Sequence, residues 1–195
     1  MMNKFAQAIE KIDTANANDP NLMDDGGQMR PLELVHAERR TEWIYKLAGA
    51  EASEELLLAA RGQHIRRWEI PRDAYPRDRA GYLKWRNDLK KFHAEKTTDI
   101  MKAVGYSDEA ADRVTGLILK KRLKLDAEVQ ALEDSLCLVF LETQFSEFAK
   151  KEADKITDIL RKTWRKMSPE GQQFALQLPM REEDRKVVEA ALAGE

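Results

Sequence analysis

The sequence predicts an all-α fold: a single globule of about seven to nine helices. Three observations carry that expectation. Apolar residues recur at spacings of three and four along most of the 195-residue chain, the repeat of one buried helical face. Alternating runs of β-branched residues, the mark of half-buried strands, are absent. Charged residues make up 35% of the sequence, above the usual quarter, as expected when many helices each keep a solvated face.

Residues 3–15 read as a short helix, and a loop rich in Asn, Asp and Gly runs from Asn16 to Gln28. Pro31 suits the first turn of a helix reaching about Ala48. Ser53-Glu54-Glu55 opens the next, with the serine as N-cap and acids on the positive end of the helix dipole, and it should run to about Arg67. Pro71 and Pro76 make residues 68–79 irregular. A long helix over about 80–104 stops at Gly105, a good left-handed terminator. Ser107 caps another to about Leu123, and further helices follow near 127–150, 154–167, 169–178 and 182–193. No internal repeat is visible, so residues 1–195 are expected to form one domain, with a core over about 30–150 and the helices of 154–193 packed on it.

A net charge of −2 gives no general pull toward nucleic acid or an anionic membrane. The charge is unevenly placed: residues 61–91 hold ten Lys or Arg against four Asp or Glu, and residues 1–60 hold six against eleven. A positive stretch inside a slightly acidic chain suits a confined anion site better than a polyanion surface. The lone cysteine, Cys137, lies in the apolar run Leu136–Leu141 and reads as a small core hydrophobe. With no signal-like start and no apolar run of spanning length, the chain reads as soluble and cytoplasmic.

The three histidines each fall on an apolar helical stripe. His36 lines up with Leu32, Trp43 and Leu47, His64 with Leu57 and Ala60, and His93 with Leu89 and Ile100. Asp134 shares the Ala131, Leu138 and Leu141 face of a helix that reads as apolar all round, so it should be buried. A buried carboxylate needs a partner. A metal ion or an arginine supplies one, as does capping a neighbouring helix. The separations between the histidines match no compact metal motif.

The order of these features resembles the HD-domain superfamily of metal-dependent phosphohydrolases. The segments that carry the likeness are Leu34–Arg39, Ala59–Ile65, Phe92–Glu95, Val104–Glu109 and Leu132–Asp134. More closely, the chain is similar to the uncharacterised family called domain of unknown function 4202, through His64–Arg72 and Leu160–Pro169. The superfamily likeness implies His36 and His64 as metal ligands, with Asp134 closing the site and His93 beside a second metal or a phosphate. Ile65 stands at the position of the aspartate that pairs with the second histidine, and an isoleucine cannot ligate. Lys120 and Lys121 stand where some members carry extra histidines.

Two imidazoles and a carboxylate suit one divalent ion, Mn, Fe, Co, Ni or Zn, which would activate water and steady a phosphoryl group. The expected ligand is a phosphorylated small molecule or nucleotide. Arg66, Arg67, Arg72 and Arg79 form its natural clamp with Lys121, since guanidinium forks match phosphate oxygens. Glu95 or Glu133 would serve as general base. The leading expectation is hydrolysis of a phosphate ester. The alternatives are a non-catalytic nucleotide or phosphate sensor, which Ile65 favours, and an RNA-associated protein using the basic stretches.

Overall fold

An asparagine starts the first helix: Asn3 Oδ1 accepts from the Ala6 amide at 2.8 Å, satisfying one of the donors a helix start leaves open. The structure, a computed structural model, describes residues 2–153 and 155–193. It is all-helical apart from one small hairpin, with ten α-helices among the described residues. No described helix is long and apolar enough to cross a membrane. The chain divides into two units, Met1–Arg122 and Leu123–Glu195.

In the first unit α1 (Lys4–Asn16) leads into an antiparallel pair, β1 (Leu22–Asp25) and β2 (Gln28–Pro31). That hairpin corrects the expectation of a loop. Its cause is local: Gly26 and Gly27 both take positive φ, 67° and 89°, as a tight two-residue hairpin turn requires. Asp24 Oδ1 also accepts from the Gly27 amide at 2.7 Å. The strand pattern is too short, four residues a side, to show alternation.

Helix α2 (Leu32–Ala48) follows directly, then α3 (Glu54–Gly62), α4 (Arg79–Ala103) and α5 (Asp108–Ile118). Helix α3 is the centre of this unit. Leu56 through Ala60 are all buried, and α3 packs against α1, α2, α4 and α5. It ends at Gly62, five residues before the expected Arg67. At Gly62 the two helices α3 and α4 cross closely: a Cβ there would stand 2.2 Å from Thr97 Oγ1. Past the crossing the chain turns, with Arg66 in the left-handed region at φ 53°. His64 therefore sits on a turn rather than on a helical face.

Helix α5 likewise stops short of Leu123. The Lys120 amide bonds the Leu117 carbonyl at 2.9 Å and the Lys121 amide bonds that of Gly116 at 3.0 Å. This double closure ends a helix when one residue turns left-handed. Here that residue is Lys120, at φ 58°, where glycine would be usual.

The second unit holds α6 (Ala127–Thr143), α7 (Phe145–Lys151), α8 (Ile156–Lys166), α9 (Pro169–Gln177) and α10 (Glu182–Leu192). The expected single helix over 127–150 is broken at Gln144, which brings the total to ten. The break lets Phe140 meet Phe145 and Phe148 edge-on, with ring centres 6.3 and 5.5 Å apart. As expected, α6 is the enclosed helix of its unit, and Cys137 is buried in it. The amphipathic α8 packs against α10, and Arg161 Nε donates to the Ala191 carbonyl at 2.9 Å.

Candidate anion-binding site

The first turn of α2 carries the key residue of the first unit, Glu33. Pro31 cannot cap the helix with a side chain, so Asp19 does so from the preceding loop. Its Oδ2 accepts from the Glu33 amide at 3.0 Å, while its Oδ1 holds the Asn21 amide at 2.9 Å. This fixes Glu33 with its side chain inward and 4% of the residue exposed.

Around that carboxylate stand the expected histidines and two arginines. Glu33 Oε2 lies 3.5 Å from His64 Nδ1, 3.8 Å from Arg40 Nη1 and 3.9 Å from His36 Nδ1. Its Oε1 lies 3.9 Å from Arg67 Nε. Arg40 reaches in from α2, only 1% exposed. Its Nε donates to the Ala60 carbonyl at 3.1 Å and its Nη1 approaches His64 Nδ1 at 3.3 Å. His93, on α4, holds the Ile65 carbonyl at 2.9 Å through Nδ1, and its ring centre is 5.6 Å from that of His64. Position 65 thus contributes its backbone oxygen, while the isoleucine side chain is core.

Burial governs the protonation of this cluster. It pushes His36 down to about 4, partly offset by Glu33, and His93 down to about 4, partly offset by the Ile65 carbonyl. His64 is lowered well below the ordinary imidazole value by burial and then by Arg40 and Arg67. Arg40 falls to about 10 by burial, against the pull of Glu33, and so stays a cation at neutral pH. Two guanidinium charges then face one carboxylate, and the three imidazoles are neutral. The site is a positive one.

Two cavities open onto it. A cleft of about 430 Å³ is lined by Leu32, Glu33, Arg67, Trp68, Arg72 and Trp85 among others. A small pocket of about 20 Å³ is lined by Gln63, His64, Arg67, Arg86, His93 and Lys120 among others. Arg67 borders both, its guanidinium 5.2 Å above the Trp85 ring. Trp85 is fixed in turn, its Nε1 donating to the Ile70 carbonyl at 2.9 Å.

The remaining sequence-derived residues are placed as follows. Arg72 lines the large cleft and donates to the Tyr75 carbonyl at 3.0 Å. Arg66 points outward to Glu69 at 2.6 Å. Arg79 and Lys121 are exposed and border neither of these cavities. Glu95 is exposed beside Lys96 at 3.1 Å. Glu133 and Asp134 are buried on α6 in the second unit. There Asp134 Oδ1 accepts from the Ser168 amide and from Gln130 Nε2, both at 2.9 Å, and its Oδ2 accepts from Ser168 Oγ at 2.5 Å. Ser168 is the N-cap of α9, so Asp134 anchors a helix start. Among the described residues, no three His, Cys, Asp or Glu side chains are grouped so as to hold a metal ion.

Sequence reasoning missed Glu33, Arg40 and Gln63. A signal existed: Glu33, His36 and Arg40 recur at i, i+3 and i+7, one face of one helix.

The family model described as Domain of unknown function (DUF4202) matches residues 6–188. The chain belongs to that family. A comparison with curated proteins finds no match, and neither does one with solved structures.

Proposed function

We propose that the first unit binds a phosphorylated small molecule, of which a nucleotide is the natural example. Its phosphate would lie at Arg67, at the mouth of the cationic small pocket, and its organic body in the cleft lined by Trp68 and Trp85. One observation carries the reading: Arg67 borders both cavities, so a single side chain can hold the charged end of a ligand whose other end stacks on an indole. Guanidinium donors in a partly desolvated setting favour phosphate. The resemblance to HD-domain phosphohydrolases supports phosphate-ester hydrolysis as the activity and an HD-like helical arrangement as its frame.

In this reading the cation beside His36, His64 and Glu33 is the guanidinium of Arg40 rather than a divalent metal. Arg40 Nη1 stands 3.3 Å from His64 Nδ1 and 3.8 Å from Glu33 Oε2, so a cation already faces both groups. The test is thermal unfolding with inorganic phosphate and with nucleoside monophosphates, each with and without a chelator. Stabilisation that survives the chelator supports the reading. Stabilisation by Mn, Co, Ni, Fe or Zn alone, lost on chelation, overturns the role given to Arg40.

A non-catalytic sensor is the second reading, favoured by Ile65, whose side chain is sealed in the core. Binding of a phosphorylated ligand without product release in a panel of phosphate esters would select it.

A further inference from the structure

Two neutral histidines share the small pocket, and their outer partners give them opposite tautomers. A guanidinium has only donors, so His64 Nδ1, nearer to Arg40 Nη1 at 3.3 Å than to Glu33 Oε2 at 3.5 Å, accepts from the guanidinium, which places the His64 proton on Nε2. A carbonyl oxygen only accepts, so His93 Nδ1, at 2.9 Å from the Ile65 oxygen, carries the proton. That leaves His93 Nε2 as a bare lone pair. It is unpartnered, on a residue 1% exposed.

Gln63 follows the same logic. Its Nε2 donates to the Ile118 carbonyl at 3.4 Å, so its Oε1 faces elsewhere, unpartnered on a residue 2% exposed. All three side chains line the pocket of about 20 Å³, which suffices for one water-sized group. One donor and two acceptors at such a spot match one water molecule, whose two hydrogens meet the acceptors while a lone pair takes the donor. Leaving two buried acceptors unmade would be costly.

We propose that His64, Gln63 and His93 hold one water molecule, and that His93 Nε2 is its proton acceptor. Resting on the phosphate reading above, that water is the one that attacks phosphorus. The water oxygen forms the new O–P bond while its proton passes to His93 Nε2. The ester O–P bond breaks, and the leaving oxygen takes a proton from solvent. Arg67 and Lys120 border the same pocket and steady the charge on the phosphoryl oxygens. His93 is then a catalytic residue, and Arg40 is a positioning residue that fixes the His64 tautomer.

Nitrogen-15 spectra of the histidine side chains in the full chain test the tautomers without any ligand. The expected result is a proton on Nδ1 of His93 and on Nε2 of His64. A proton on His93 Nε2 overturns the proposal. The kinetic arm uses a panel of phosphate monoesters, including p-nitrophenyl phosphate and nucleoside monophosphates. His93→Gln, checked for fold by circular dichroism, should lower kcat at least about 100-fold with KM within about threefold, the size of effect usual for a general base. Should that variant fail to fold, Gln63→Leu takes its place, with a loss of about tenfold. A kcat within threefold of the native chain overturns the step. Phosphate that binds natively without turnover of any ester also overturns it, and leaves the binding reading standing. No phosphate binding at all removes both.

Discussion

The guanidinium of Arg40 lies 3.3 Å from Nδ1 of His64 and 3.8 Å from Oε2 of Glu33, so one buried cation joins a base on a turn to an acid at a helix start. Both neighbours depend on it. Arg40→Met removes the charge and leaves Glu33 buried among neutral imidazoles, with Arg67 alone to face it at 3.9 Å. Breaking a buried pair in this way typically costs about 3–5 kcal/mol. Urea unfolding should show a loss of that size, and Glu33→Gln combined with Arg40→Met should recover part of it.

The crossing of α3 and α4 at Gly62 sets where His93 stands. Thr97 Oγ1 donates to the His93 carbonyl at 2.7 Å and to that of Gly62 at 3.3 Å. Gly62→Ala places a methyl against Thr97 and should cost about 1–3 kcal/mol as overpacking. Thr97→Ala in the same chain should relieve most of the clash, a coupling that a double-mutant cycle of thermal unfolding measures.

Stability should fall in mild acid. His36 and His93 titrate near 4 in the folded chain, against about 6.5 for an unfolded imidazole. Between those values the unfolded chain binds the extra protons, so the contribution of each histidine is complete above pH 6.5 and lost as pH falls to about 4. The full loss is on the order of 3 kcal/mol per histidine. Denaturation at pH 7.5, 6 and 5 should show a steady decline that is shallower in His36→Phe, where His93 alone of the pair remains.

Asp134 makes a prediction for the second unit. Its carboxylate holds both the amide and the hydroxyl of Ser168, the residue that caps α9. Asp134→Ala strands those donors and should cost about 1–3 kcal/mol. Amide exchange should localise the loosening to the first turn of α9. Protection unchanged at Gly171 would contradict that role.

Much of the fold was legible because helix starts announce themselves: Ser53 and Ser107 cap α3 and α5 through the expected side-chain bonds. Ends were less so. The stop of α3 at Gly62 lies at a close crossing with a helix 35 residues away, and that of α5 is made by a lysine in a glycine conformation, neither of which a local pattern encodes. His36 and His93 were readable from their helical stripes and Arg67 from the basic stretch, whereas His64 reaches the cluster from a turn. Glu33 was not legible, because an acid in a first turn has an ordinary role on the helix dipole. Only tertiary placement, through the Asp19 cap, turns it inward. Asp134 was correctly read as buried, and its partner Ser168 is 34 residues on, between two expected helices.

The central claim is that Arg67 holds the charged end of a phosphorylated ligand. Isothermal titration of the full chain with inorganic phosphate and with nucleoside monophosphates, beside Arg67→Ala, tests it most directly. The account predicts saturable binding at one site, tighter for the nucleotides than for phosphate, and at least tenfold weaker in Arg67→Ala. Equal affinity in the native and Arg67→Ala chains, or no binding of either ligand, would contradict it.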